Sequence, residues 1–388
     1  MSPEIALVDC DSFFVSCEQL VNPSLLNKPV CVASNNDGCV VARSKEAKQL
    51  GIKMGMPVFM AKKEFPQAIY LSGNMNLYGD ISDRVMTKLK EFSPVVEVYS
   101  IDEAFLDLTG LRRMYRKDYF KIAIDIRKTI KEEVGVPVSI GVSSTKVLAK
   151  LASEKAKKAD GVYRIGFREI TEELKKTDIA EIWGIGKNTT ALLNKYGIRT
   201  AYQLTIIDDT RISKLLGKKG IELKQELTGN SIYPVSDKYV PPKSIQKTSS
   251  FAKFTSDESY IRNSLNYHAH RACRKLRSRG LKTKTIGIML RTKDFKVYYQ
   301  KSQLIQPTDF EFEAQEVIKI IFPDIFIPDI IYRSSGVIFE DLTEQTQLSL
   351  FSSVQQNFKT SKLSSAWDKL EDKYGRGIIF NSVPNNFI

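Results

Sequence analysis

At two places far apart in the chain short apolar runs adjoin a cluster of acids, and this constrains the fold more than any other feature. Ile5-Ala6-Leu7-Val8 leads into Asp9-Cys10-Asp11. Val95-Val96-Glu97-Val98-Tyr99 and Ala104-Phe105-Leu106-Asp107-Leu108 flank Ser100-Ile101-Asp102-Glu103. The first run reads as a buried strand, the other two as the arms of a hairpin with its turn at the acids. If both places belong to one sheet, three carboxylates meet at a strand end. Such a cluster is costly unless cations neutralise it. Magnesium suits a site of few carboxylates completed by phosphate oxygens, and a pair of such ions serves phosphoryl transfer.

The surrounding pattern is α+β. Strand-like runs at 29–33, 38–42 and 138–142 mix with helical stretches at 45–50, 78–92, 119–134 and 146–157, without regular alternation. From 169 to 232 the chain turns helical with glycine-containing turns. Beyond the Pro-rich linker near 238–242 come a basic helix (260–279) and strands at 285–291, 296–300 and 335–339. From 343 the composition, rich in Ser, Gln, Asn and Lys, predicts a flexible tail.

Composition narrows the chemistry. The 388 residues contain two histidines, His268 and His270, and five cysteines with no CxxC pair. Histidine acid–base chemistry, a zinc site and a disulfide framework are disfavoured, and His268 and His270 read as a packed or solvated helix pair. No apolar run approaches a membrane span, and the first residues lack a signal-peptide layout, so the cytoplasm is the default expectation. Net charge is +13, and residues 238–301 hold 16 Lys/Arg against 3 Asp/Glu, the whole surplus. A charge so concentrated reads as a footprint for a polyanion.

Several motifs resemble, in order and spacing, those of the Y-family (lesion-bypass) DNA polymerases. Asp9-Cys10-Asp11-Ser12-Phe13-Phe14 resembles the family's first motif and Ser100-Ile101-Asp102-Glu103 its Ser-x-Asp-Glu motif. The segment from Ser139-Ile140-Gly141-Val142-Ser143 to Lys157 resembles the one ending in its triphosphate lysine. Ser34-Asn35-Asn36-Asp37-Gly38-Cys39-Val40-Val41-Ala42-Arg43 and Tyr374-Gly375-Arg376-Gly377 are similar to the UmuC-like bacterial branch.

The resemblance implies a multidomain right-hand polymerase. Its palm would have a mixed sheet (1–18 and 77–166) and its small fingers would span 19–76. A helical thumb with a helix-hairpin-helix (167–234), a linker (235–242) and an α/β little finger (243–341) would follow, then a flexible tail (342–388). It also implies low-fidelity, template-directed DNA synthesis past lesions. Asp9, Asp102 and Glu103 would hold two magnesium ions, with manganese as a substitute, and the Cys10 carbonyl would add a ligand. Phe13 and Phe14 would be nucleotide-binding, with Phe14 as the steric gate under the sugar. Arg43, Lys45, Lys48 and Lys157 would face the triphosphate; Lys45 stands where the family often has tyrosine, which leaves its role open.

Gly184, Gly186 and Lys187, in Ile182-Trp183-Gly184-Ile185-Gly186-Lys187, resemble a phosphate-binding hairpin. Arg271, Arg274, Lys275, Arg277, Arg279, Lys282 and Lys284 would grip the duplex backbone. Gln347-Leu348-Ser349-Leu350-Phe351 looks like a bacterial sliding-clamp-binding peptide. Expected partners are therefore primer–template DNA, deoxynucleoside triphosphates and the sliding clamp, with no membrane. The similarity leaves open a UmuD-like accessory subunit. Two other classes stay open from the residues alone: a catalytically silent DNA-binding module, and another two-metal enzyme such as a nucleotidyl cyclase.

Overall fold

The computed structural model describes residues 3–34, 38–238, 240–344 and 354–374. Asn35, Asn36 and Asp37, the peptide Gln347-Leu348-Ser349-Leu350-Phe351 and Gly375-Arg376-Gly377 lie outside the described residues. The chain divides into two compact units, Met1–Tyr239 and Val240–Ile388.

In the first unit the described strands are β1 (Ile5–Cys10), β2 (Val30–Ala33), β3 (Val40–Arg43), β4 (Ile69–Ser72), β5 (Val96–Val98), β6 (Glu103–Asp107), β7 (Val138–Ser143) and β8 (Val162–Arg164). Five of them form one sheet, ordered β5-β6-β1-β7-β8. β1 is buried along its whole length, which explains an unbroken apolar run where a half-exposed strand would alternate. Its two neighbours are antiparallel to it, while β8 runs parallel to β7. The expected hairpin forms: β5 and β6 pair antiparallel, and the amides of Tyr99 and Ser100 both donate to the Glu103 carbonyl.

The Lys146–Ala156 helix lies on this sheet at Gly141. A Cβ there would stand 2.1 Å from the Ser153 amide nitrogen and 2.2 Å from the Ala149 carbonyl oxygen. The missing side chain therefore sets how closely helix and sheet approach. A smaller sheet, β3-β2-β4, has its own apolar cluster around Cys31, Val40, Ile52 and Val58. The helical stretch after 169 resolves into Ile170–Lys176, Lys187–Lys195, Ala201–Thr205, Asp209–Leu216 and Lys218–Leu227, centred on Leu174, Ile182, Leu193, Leu204 and Leu227.

The second unit carries β9 (Ile245–Thr255), β10 (Lys282–Thr292), β11 (Val297–Thr308) and β12 (Tyr332–Thr343), ordered β11-β10-β12-β9 and antiparallel throughout. The Glu258–Arg277 and Glu311–Ile321 helices cover one face with Leu265, Ala269, Cys273 and Ile318, joined by Phe322 just after the second helix. They meet Phe251, Ile286, Ile288, Leu290, Val337 and Phe339 from the strands. The tail expected to be flexible contains a helix, Val354–Tyr374, in which Ser364, Trp367 and Glu371 are buried. Its composition is polar because it docks through charge more than through an apolar stripe. Asp368 and Glu371 pair with Arg277 and Arg274, and Trp367 lies against His270.

Candidate active site

Strand register assembles the acids. Asp9 on β1 stands directly opposite Glu103 on β6, and directly opposed residues have Cβ atoms only ~4.5–5.5 Å apart. One residue further, the Cys10 amide donates to the Asp102 carbonyl at 2.9 Å. Backbone pairing thereby brings Asp9, Asp102 and Glu103 to the same end of the β1–β6 strand pair.

Burial raises the Asp9 carboxyl, the nearby Lys157 pulls it back, and Glu103 adds to the rise, leaving it at about 7. This buried acid resists its own charge and calls for a cation. Lysines serve that purpose here. Lys157 Nζ lies 2.9 Å from Asp9 Oδ2 and 2.8 Å from Glu154 Oε1, and Lys150 Nζ lies 2.5 Å from Glu103 Oε1. Asp102 Oδ1 accepts from Ser100 Oγ at 2.5 Å. Among the described residues no three His, Cys or acidic side chains already stand as a ligand group. The donor set nevertheless fits a hard divalent cation: carboxylate oxygens at a shared strand end, one strongly reluctant to ionise, with lysines holding two of them.

Lys150 was not among the residues singled out from sequence. Its signal was spacing: Lys146, Lys150 and Lys157 lie at intervals of four and seven, one face of a helix. That face meets an acid row, with Lys146 on Glu97 at 2.6 Å, Lys150 on Glu103 and Lys157 on Asp9. Lys150 also lies 5.5 Å from the Tyr99 ring and 5.8 Å from the Trp183 ring.

The first-motif residues separate by role. Phe13 is buried in the core, 3 % exposed, so its ring is packing and the expected nucleotide contact is corrected to backbone at most. Phe14 is half-buried and stacks on Tyr78, with ring centroids 4.4 Å apart and planes 13° from parallel. Tyr78 is itself fully buried and donates to Glu18 Oε1 at 2.7 Å, giving Phe14 a fixed backing. Between the acids and these rings Ser12 takes a left-handed conformation, φ 48°, and its Oγ accepts from Lys48 Nζ at 2.9 Å. Burial, Arg43 and Lys157 together lower the Lys48 ammonium pKa, so Lys48 belongs to the same charged cluster.

Lys45 is exposed in the first turn of its helix, Lys45–Gln49. Arg43 spends one nitrogen on the Ile52 carbonyl at 2.6 Å. Cys10 is buried, and burial with the Asp102 and Asp9 charges pushes its thiol well up. It remains a thiol, which leaves the carbonyl as its only useful ligand atom.

In the hairpin, Ile182 and Ile185 are buried while Gly184 takes φ +92°. Gly186 is the uncapped N-cap of the Lys187–Lys195 helix. The first-turn amides there have no side-chain acceptor and are suited to a phosphate.

The basic helix requires a correction. Arg277 pairs with Asp368 at 2.7 Å and Glu311 at 2.9 Å, and Arg274 with Glu371 at 2.7 Å. Arg277 has 13 % of its side chain exposed. These two arginines hold the second unit together and are spent as phosphate ligands. Lys275 and Arg279 are exposed, and Arg271, Lys282 and Lys284 half-buried.

Sequence reasoning missed the uncovered sheet face. Rows sharing that face run Lys301–Gly287–Ile338–Gln246, Tyr299–Met289–Gly336–Thr248 and Val297–Arg291–Ser334–Ser250. Glycines leave room for their neighbours: a Cβ on Gly287 would fall 2.5 Å from Tyr299 Oη, and one on Gly336 2.3 Å from Thr248 Cγ2.

Comparison with known proteins follows from this geometry. Residues 8–154 match the impB/mucB/samB family and residues 242–350 the C-terminal domain of that family. The chain is 34 % identical to Protein UmuC of Salmonella typhimurium, over 97 % of this chain and 92 % of UmuC. It is 33 % identical to DNA polymerase IV of Dehalococcoides mccartyi, over 97 % of this chain and 95 % of that one. A solved Y-family DNA polymerase chimera built on Dbh superimposes with a TM-score of 0.74 at 26 % identity, covering 88 % of this chain and all of the chimera. Fold and acid cluster together define a polymerase of the Y family. Within that class, the chain belongs to the impB/mucB/samB family.

Proposed function

We propose that this protein copies damaged DNA and that its chemistry takes place at Asp9, Asp102 and Glu103. The chain is a DNA-directed DNA polymerase of the lesion-bypass class, a nucleotidyltransferase. The observation that carries the site is the β1–β6 register, which sets Asp9 against Glu103 with Asp102 beside Cys10. A primer 3′-hydroxyl attacks the α-phosphorus of a deoxynucleoside triphosphate, an ester bond forms, and pyrophosphate leaves.

The three carboxylates, with the Cys10 carbonyl, would hold divalent cations, magnesium in the cell with manganese as a substitute. When bound, these ions lower the pKa of the attacking hydroxyl and neutralise charge on the phosphate oxygens. Lys150 and Lys157, which hold Glu103 and Asp9 here, would give up those carboxylates to the ions, and Lys157 with Lys48 would meet triphosphate oxygens. Arg43 and Lys45 border the same approach. Phe14, braced by Tyr78, sits under the sugar and leaves no room for a 2′-hydroxyl.

Residues 1–18 and 77–166 serve as palm, 19–76 as fingers, 167–234 as thumb and 243–341 as little finger. The hairpin at Gly184, Gly186 and Lys187 grips phosphate. In the second unit we assign DNA contact to the uncovered sheet face, through Thr248, Ser250, Arg291, Tyr299 and Lys301, and keep Lys275, Arg279, Lys282 and Lys284 as further phosphate contacts. Tethering to a sliding clamp through Gln347-Leu348-Ser349-Leu350-Phe351 rests on the sequence of that peptide alone, and a UmuD-like partner on similarity to UmuC. No described helix is long and apolar enough to cross a membrane.

Primer extension on a template with a single abasic site tests this reading. Extension past the site by the wild type, lost in Asp102→Ala, is expected. Failure to extend even an undamaged template with magnesium, or cyclic nucleotide formation without primer, would overturn it.

A further inference from the structure

Lys146 and Lys150 stand one turn apart on the same helix and answer acids of the same sheet, but their surroundings differ. Lys146 Nζ reaches both oxygens of Glu97, at 2.7 and 2.6 Å, and stands 5.2 Å from the centre of the Phe105 ring. Glu97 Oε2 also accepts from the Ser236 amide at 2.8 Å, and the Lys146 side chain is 7 % exposed. Charge, ring and backbone there close on one another, and the contact is structural.

Lys150 is held in a more open way. Its ammonium meets a single oxygen, Glu103 Oε1, at 2.5 Å. Two rings border the same ammonium, Tyr99 with its centre at 5.5 Å and Trp183 at 5.8 Å. Their centroids lie 5.4 Å apart and their planes meet at 89°, so they form a corner. Both distances fall just inside the ~6 Å over which a ring attracts a cation. The lysine thus stands at the mouth of the corner, not in it. Trp183 is half-buried and leans on the fully buried Phe105, with centroids 6.1 Å apart. The corner therefore keeps its shape whether or not an ammonium enters, and the four-carbon lysine stem is flexible enough to enter it.

A divalent cation approaching Glu103 meets the Lys150 charge at once. Like charges at that separation repel, so the lysine opposes the cation unless it has another place to go. The corner is such a place, because ring faces attract an ammonium without a carboxylate. One of its walls has a second connection. Trp183 directly precedes Gly184, in the hairpin that leads to the uncapped N-terminus of the Lys187–Lys195 helix.

We propose that Lys150 has two stations: it holds Glu103 until a cation takes that carboxylate, then withdraws into the Tyr99–Trp183 corner. Trp183, at the neck of the hairpin, thereby sets how readily Glu103 accepts a metal. Lys150 and Trp183 are positioning residues that act through Glu103, and the inference rests on the reading of Glu103 as a cation ligand.

The test is manganese binding by the full chain, without DNA or nucleotide, read from the electron paramagnetic resonance of the free ion. Binding lost in Asp102→Ala marks the acid cluster. Lys150→Met removes the opposing charge and should tighten that binding about threefold or more. Trp183→Leu removes one wall of the corner and should weaken it about threefold or more. In the Lys150→Met background the same Trp183→Leu change should have no effect, since no lysine is left to receive. Lys150→Arg and Trp183→Phe keep the charge and a ring, and should stay within about twofold of the wild type. Damage to the fold alone would weaken binding in both Lys150→Met and Trp183→Leu, whereas opposite signs are expected here. Unchanged or weaker binding in Lys150→Met, or a Trp183→Leu effect that persists without Lys150, would overturn the proposal and leave the acid assignment standing. Absence of any saturable binding that Asp102→Ala removes would overturn that assignment and the proposal with it.

Discussion

Replacing Gly141 by alanine should damage both the fold and the chemistry, and the structure sets the scale. The new Cβ would sit 2.1 Å from the Ser153 nitrogen and 2.2 Å from the Ala149 oxygen, against 3.4 Å for ordinary contact. Helix or sheet must therefore give by roughly 1.3 Å. Both obstructing atoms are backbone, so no side-chain rotation relieves the clash. Overpacking of this kind costs about 1–3 kcal/mol, and a rigid obstruction places Gly141→Ala at the upper end. The displaced helix carries Lys150, and Lys157 follows at its end; both reach acids of the cluster. A misplacement of about 1 Å costs on the order of 10²-fold in rate.

Urea unfolding followed by circular dichroism and single-turnover nucleotide incorporation would measure the two effects. A loss near ~3 kcal/mol with a ~10²-fold slower incorporation step is expected, while primer–template affinity changes little. Gly287→Ala is the control: its Cβ meets the Tyr299 side chain, which can rotate, so a cost under ~1 kcal/mol is expected. If Gly141→Ala melts and incorporates like the wild type, the claim that this contact positions the lysines is wrong.

Three further perturbations follow from the same geometry. At His270, burial lowers the imidazole pKa, but the Glu311 carboxylate 3.7 Å from Nδ1 and the 3.1 Å hydrogen bond between Nε2 and Glu371 Oε1 outweigh it and raise it to about 9. The protonated ring thus adds stability that is complete below about pH 6.5 and lost as pH rises through 9, ~3 kcal/mol at most; His270→Gln should flatten the urea-midpoint profile between those limits. Phe14→Ala should raise ribonucleotide incorporation relative to deoxyribonucleotide by on the order of 10–10²-fold, read from kcat/KM ratios, and an unchanged ratio would remove Phe14 as the gate. Arg291→Ala should reduce the slope of log affinity against log salt by about one; an unaltered slope would move the DNA contact off the uncovered sheet face.

The pairing of the strands that carry the proposed catalytic acids was legible in sequence because its determinants are local. Ile5-Ala6-Leu7-Val8 reads as a buried strand, Asp102 and Glu103 fall between two strand-like runs that read as a hairpin, and one pairing register joins them. The residues that answer those acids were less legible. Lys150 is one lysine among many until the helix is known to lie on β7, and that depends on Gly141 admitting it. Phe13 and Phe14 look alike in sequence, yet neighbouring positions on a helix face different surroundings, so one became core and the other was left beside the site.

The basic helix misled for a related reason. A run of like charge records what a helix carries but not which face is free. The acids that consume Arg274 and Arg277, Glu371 and Asp368, lie nearly a hundred residues later, in a segment whose polar composition suggested no structure. The uncovered sheet face left little trace because its members, Thr248, Ser250, Tyr299 and Gly336 among them, become a surface only through the register of four strands.

The central claim is that β1 and β6 bring three carboxylates together to hold a pair of divalent cations beside the incoming nucleotide. Counting bound manganese by electron paramagnetic resonance, with primer–template and a non-hydrolysable deoxynucleoside triphosphate present, tests it most directly. Two ions per chain are expected in the wild type, and loss of at least one in Asp102→Ala with primer extension abolished. An identical count in the two proteins, or extension undiminished in the variant, would contradict it.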